Sequence, residues 1–195
     1  MTESRRAPAL GTAALRALAH PLRVRILDEL SMYGPLTASG LGERLGESSG
    51  STSYHLRQLE KHGLVAEDVG RGTGRERWWM RAPGSITLPD AHHQPEGSAE
   101  RLATELIDNE WMRQRDESLR EFREQGADVF GAEWLDVASF DTVNLRLTAE
   151  ELRDLVAELD AVIGRRLTTT AAAGARPVQL QLNAFPLVRG AIDKE

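Results

Sequence analysis

Residues 35–65, PLTASGLGERLGESSGSTSYHLRQLEKHGLV, hold two helix starts, two helix stops and a change of period. Thr37 is placed to cap a short helix that carries Leu41 and Leu45, and Gly46 is placed to end it. Ser48 or Ser49 caps a second helix, whose Thr52, Leu56 and Leu59 recur on one face until His62-Gly63 stops it. From Leu64 the pattern turns extended. Two short helices joined by a tight turn, the second opening on small polar residues, form a unit that presents one helix to a partner.

Upstream, Ala13, Leu15, Leu18 and Ala19 predict a helix that stops at His20-Pro21, because proline disfavours helical geometry in the residue before it. Pro21 opens another, with Leu22, Ile26 and Leu30 on one face and Val24 and Leu27 beside them, until Tyr33-Gly34-Pro35 breaks it. Downstream, Leu64-Val65-Ala66 and Arg77-Trp78-Trp79-Met80 flank the basic, glycine-rich stretch 70–75, which predicts a hairpin with a cationic tip. Trp78 alternates with Met80 and is expected in the core, while Trp79 shares its face with Arg77 and Arg81. The expected fold is mainly α with small β: a winged helix-turn-helix N-terminal domain, a long linking helix and a small α/β C-terminal region. The boundaries are a flexible arm at 1–10, the winged domain at 11–81, a linker at 82–97, a long helix at 98–125 expected to dimerise, and an α/β region at 126–195.

This arrangement suits double-stranded DNA. The major groove admits one helix, and residues near that helix's start can reach base edges. Ser49, Ser51, Ser53, Tyr54 and Arg57 lie off the Thr52/Leu56/Leu59 face and are the candidate readers, with Arg71, Arg75 and Arg77 as candidate phosphate contacts on the wing. His55 is expected to pack against the first helices. The net charge of -6 does not oppose this reading. Residues 1–90 hold 12 Lys+Arg against 10 Asp+Glu, and residues 91–195 hold 12 against 20, so the acidity belongs to the C-terminal half.

The chain resembles the ArsR-like winged-helix repressors. The likeness rests on three blocks: Ala19-His20-Pro21-Leu22-Arg23-Val24-Arg25-Ile26-Leu27, Ser53-Tyr54-His55-Leu56-Arg57-Gln58-Leu59 and Lys61-His62-Gly63-Leu64-Val65. The resemblance implies homodimers that release DNA on binding an effector, although some members lack a sensory ligand, and two-fold symmetry of such a dimer predicts an inverted-repeat operator. Metal-sensing members commonly place cysteines on a DNA-binding helix or near the termini, and this chain of 195 residues has none. The likeness ends near Arg81, and the tail beyond is similar to tails of actinobacterial regulators of this broad group.

The absence of cysteine also removes disulfides, thiolate metal sites and cysteine nucleophiles. No phosphate-binding Gly-rich motif followed by Lys-Ser/Thr, no serine nucleophile elbow and no His-Glu-x-x-His pair occurs, so neither enzyme activity nor a cofactor is expected. His92-His93 lacks a third ligand at a recurring spacing, and no metal site is assigned. Without a long apolar run or a leader-like start, the expected location is cytoplasmic. In the final third, Val143, Leu145 and Leu147 and then Val178, Leu180 and Leu182 alternate with polar residues as strands would, around a helix started by a Thr148/Glu151 capping box. Two strands alone are marginal. That region is therefore expected to pack on the long helix, either as a solid scaffold or around an effector pocket for a small organic molecule bordered by Trp111, Trp134, Leu145, Leu180 and Phe185. The competing function is a protein-interaction module on the same winged scaffold.

Overall fold

The computed structural model describes residues 9–72, 76–84, 86–167 and 170–188. The chain divides into two units, the first ending at Gly131 and the second beginning at Ala132. In the first, α1 (Thr12–Leu18) and α2 (Pro21–Tyr33) are followed by β1 (Leu36–Thr37), α3 (Ala38–Leu45) and α4 (Ser49–Lys61). Then come β2 (Val65–Glu67), β3 (Trp78–Arg81), a single 3-10 turn at Ala91–His93 and the long α5 (Ala99–Val129).

Local chemistry fixes each boundary. The extended His20 ends α1, and its imidazole Nδ1 accepts the Leu22 amide while Pro21 fills the first helical position. Thr37 Oγ1 accepts from the Gly40 amide at 3.1 Å, and Ser48 Oγ accepts from the Ser51 amide at 3.1 Å, so Ser48 rather than Ser49 caps α4. Gly46 closes α3 in the left-handed region at φ 70°.

The sheet has the order β1-β3-β2, all antiparallel, with Leu36 opposite Trp79 and Val65 opposite Arg81. Two residues are too few to show an alternating pattern, so β1 is invisible in the sequence. The register also reverses the expected tryptophan roles. Trp79 is 3% exposed within the core, and Trp78 is only half-buried on the other face. Alternation identifies two faces without saying which is inward, and a slip of one residue exchanges them.

One core joins α1, α2, α3, α4, β2 and β3 around Leu18, Val24, Ile26, Leu41, Leu56 and Leu59, all fully buried. The long helix belongs to it. Ile107 and Ala103 of α5 are buried in the same cluster, and Arg16 of α1 pairs with Glu100 at 2.8 Å. The segment expected to be a linker is also docked: Ile86 and Leu88 pack on the core, and the Leu10 amide donates to the Thr87 carbonyl at 2.8 Å. The remainder of the expected flexible arm, residues 1–8, lies outside the described residues.

The second unit contains α6 (Ala132–Val137) and α7 (Ala149–Leu167). The predicted capping box forms, with Glu151 Oε2 accepting from the Thr148 amide at 2.7 Å and Thr148 Oγ1 accepting from the Glu151 amide at 3.2 Å. The predicted strands do not. Residues 140–147 and 178–185 belong to no ladder, and no described residue of this unit is buried. Among the described residues the expected α/β region is therefore helical, with no strand. Alternation prepares a segment for a sheet, but a strand exists only where another backbone supplies its hydrogen bonds.

Candidate nucleic-acid interface

The two helices α3 and α4 are locked by a small polar contact. Thr52 is fully buried, and its hydroxyl is within hydrogen-bond distance of the carbonyls of Ala38, Ser48 and Ser49, at 2.7, 3.2 and 3.1 Å. The turn between them passes so close to α3 that a Cβ on Gly42 would sit 2.6 Å from the Glu47 carbonyl oxygen. The Glu47 amide in turn donates to the Gly42 carbonyl at 2.8 Å. Thr52, Leu56 and Leu59 face inward, which leaves the opposite side of α4 to solvent.

That side carries the expected readers. Tyr54 is 55% exposed, Arg57 and Ser49 are exposed, and Ser51 and Ser53 are half-buried. At 100° per residue, Gly50, Gln58 and Lys61 share the face with Tyr54 and Arg57. His55 packs as anticipated, its ring 4.6 Å from His20 at the α1–α2 junction. Burial lowers its pKa, and the nearby His20 and Arg23 lower it further, so the ring favours the neutral form.

Sequence reasoning passed over Arg23, which the structure brings next to the α4 face. Its Nε is buried without a hydrogen-bond partner. Burial lowers its pKa and Tyr54 raises it. At 100° per residue Arg23 falls between Leu30 and Leu27, on the buried side of α2, so its approach to the α4 face could not be read from the stripe.

Two of the three arginines expected to contact phosphate from the wing are described, and they differ. Arg77 is bound to carboxylates, at 2.6 Å from Glu67 and 3.4 Å from Glu60, and its guanidinium lies 4.5 Å from the centre of the Trp79 ring. It fastens the hairpin to the end of α4. Arg71 lies over the Trp78 ring at 4.9 Å, at the base of the tip. Gly72 (φ 94°) is required there, because a Cβ would approach the Trp78 ring to 2.8 Å. Arg75 lies outside the described residues.

Behind this surface α2 meets α5. The Trp111 indole donates to Asp28 Oδ1 at 3.2 Å, and burial pushes the Asp28 carboxyl up to about 7 against the pull of that bond and of Arg115. Beside them is a cavity of about 600 Å³, lined by Ile86, Leu88, His92, Asp108, Trp111 and Arg115 among others. This differs from the expected effector pocket. Of the residues expected around that pocket, Trp111 lies in the first unit, and in the second Trp134 is half-buried and Leu145, Leu180 and Phe185 are 61%, 71% and 68% exposed. Among the described residues no three histidine or acidic side chains gather as metal ligands, and no helix is long and apolar enough to cross a membrane.

Two helices locked at a tight turn, an open face on the second and a β-hairpin beside it define a winged helix-turn-helix domain. Residues 18–68 match the family model described as "Helix-turn-helix domain". Among solved structures, reduced HlyU from Vibrio cholerae N16961 is similar at 23% identity and a TM-score of 0.32, over 50% of this chain and 83% of that one. The transcriptional regulator Tm0710 from Thermotoga maritima is similar at 15% identity and a TM-score of 0.31, over 83% and 90%. No curated protein sequence matches the chain.

Proposed function

We propose that this protein is a sequence-specific DNA-binding transcriptional regulator of the ArsR-like kind, acting in the cytoplasm as a homodimeric repressor on an inverted-repeat operator. The observation that carries the reading is the open face of α4, where Tyr54 and Arg57 project from a helix whose other side is sunk in the core. Helix α4 enters the major groove, with Ser49, Ser51 and Ser53 near its start and Tyr54 and Arg57 toward base edges. Arg23 and Lys61 meet phosphates at the margins, while Arg71 and Arg75 hold the backbone from the wing. Arg77 positions the wing through Glu60 and Glu67, and any phosphate contact it makes has to compete with them.

One recognition helix reads few base pairs, so useful specificity calls for two half-sites and a two-fold dimer, for which α1 and α5 are the proposed surfaces. Release by a small organic effector belongs to the same reading, and the Trp111 cavity between α5 and residues 86–92 is the place proposed for it.

Arg57→Ala and Tyr54→Ala test the reading head. Each is expected to weaken specific binding by about 1–3 kcal/mol with little change in melting temperature, since both side chains are exposed. Competitive DNA titration beside a thermal melt checks this. Unchanged operator affinity in a folded Arg57 variant removes that residue from the interface.

A further inference from the structure

The second unit folds a 19-residue helix, α7, that buries none of its side chains. Leu152, Leu155, Val156 and Ile163 are half-covered, Leu159 is 36% exposed and Val162 is 50% exposed. Such a stripe needs a partner, and its sequence specifies one. We propose that the apolar face of α7 is covered by α7 of a second copy of this chain, packed antiparallel about a two-fold axis between Ala157 and Glu158.

The pattern reads back on itself about that point. An antiparallel overlay that sets Leu152 against Ile163 also sets Val156 against Leu159, and two-fold symmetry repeats both layers. In a helix pair of this kind each flank of the seam faces the same flank of the partner. On one flank lie Leu155 and Val162, which meet as an apolar pair. On the other lie Arg153 and Asp160, which meet with opposite charges. Sliding the overlay by one heptad in either direction brings Arg153 against Arg153 or Asp160 against Asp160, so one register satisfies both packing and charge.

The ends agree. Glu150 and Glu151 stand in the first turn and Arg165 and Arg166 in the last. Antiparallel pairing therefore brings the acidic end of one copy to the basic end of the other, whereas parallel pairing would join like ends. This surface is separate from α1 and α5, and it does not depend on the DNA-binding reading.

The chain has no cysteine, which makes engineered thiols specific probes. Full-length Leu152→Cys and Ile163→Cys are co-refolded and treated with a short bis-thiol cross-linker, and each is also treated alone. The mixture is expected to yield covalent dimers, while Leu152→Cys alone yields none, because its two thiols would stand roughly 16 Å apart along the seam at 1.5 Å per residue. As a check that leaves the apolar face intact, Arg153→Asp and Asp160→Arg are each expected to weaken this association about tenfold, and mixed together to restore it. Covalent dimers from Leu152→Cys alone, with no covalent heterodimer in the mixture, would replace the antiparallel seam by a parallel one. Absence of cross-linking in a chain that sediments as a dimer overturns the α7 seam and leaves pairing through α1 and α5 standing. A chain that sediments as a monomer at every concentration overturns both.

Discussion

Asp28→Asn is expected to make the protein more stable above neutral pH, by as much as about 4 kcal/mol, with an advantage that shrinks toward pH 4. The carboxyl is raised in the folded state to about 7 from 3.8, chiefly by burial. The folded protein therefore holds this proton where the unfolded chain has released it. The stability linked to the proton is full below about 3.8 and declines as pH rises, and the loss is complete once pH has passed through the folded value near 7. Asparagine keeps a carbonyl oxygen for the Trp111 indole and carries no charge, so it avoids the loss. Urea unfolding of both proteins from pH 4 to 8.5 checks this. Parallel stability profiles would mean that Asp28 is solvated or fully compensated by Arg115.

The second large effect is expected at Gly42. A methyl group there would press on the Glu47 carbonyl oxygen at 2.6 Å, a backbone atom that cannot swing aside as a flexible side chain would. Gly42→Ala should destabilise the domain by about 1–3 kcal/mol. It should also shift the start of α4, so that DNA affinity falls further than stability alone explains. Gly50→Ala is the control, because its Cβ meets only Ser48 Oγ at 3.9 Å. Helix propensity there favours alanine by up to about 1 kcal/mol. Denaturation midpoints on the two variants separate crowding of the turn from the general effect of adding a methyl group, and DNA titration of Gly42→Ala checks the shift of α4.

The winged domain was legible because its signals are local. Pro21, Thr37, the Ser48/Ser49 pair and Gly63 punctuate the chain, and Thr52, Leu56 and Leu59 set which face of α4 turns inward and hence which residues stay outside. What could not be read depends on distant partners. Trp79 is inward because Leu36 and Glu67 flank it in the sheet, and nothing in Trp78-Trp79 alone distinguishes the two. Ile107 enters the core of a domain that seemed complete at Arg81, since a stripe on a long helix does not say what it meets. The involvement of Arg77 with Glu60 and Glu67 has the same origin. In the second unit the alternating segments announced strands, yet among the described residues they join no ladder.

The central claim is that α4 and the wing bind duplex DNA, and its most direct test is the affinity of the full chain for duplexes selected from a random pool, measured against salt concentration. Neutralising phosphates with Arg and Lys releases counterions, so log affinity is expected to fall steeply and linearly with log salt, by about 0.9 for each phosphate contacted. The selected sequences should contain an inverted repeat. A pool that shows no enrichment, together with binding that is absent or indifferent to salt, would contradict the account and leave the winged domain as a surface for protein partners.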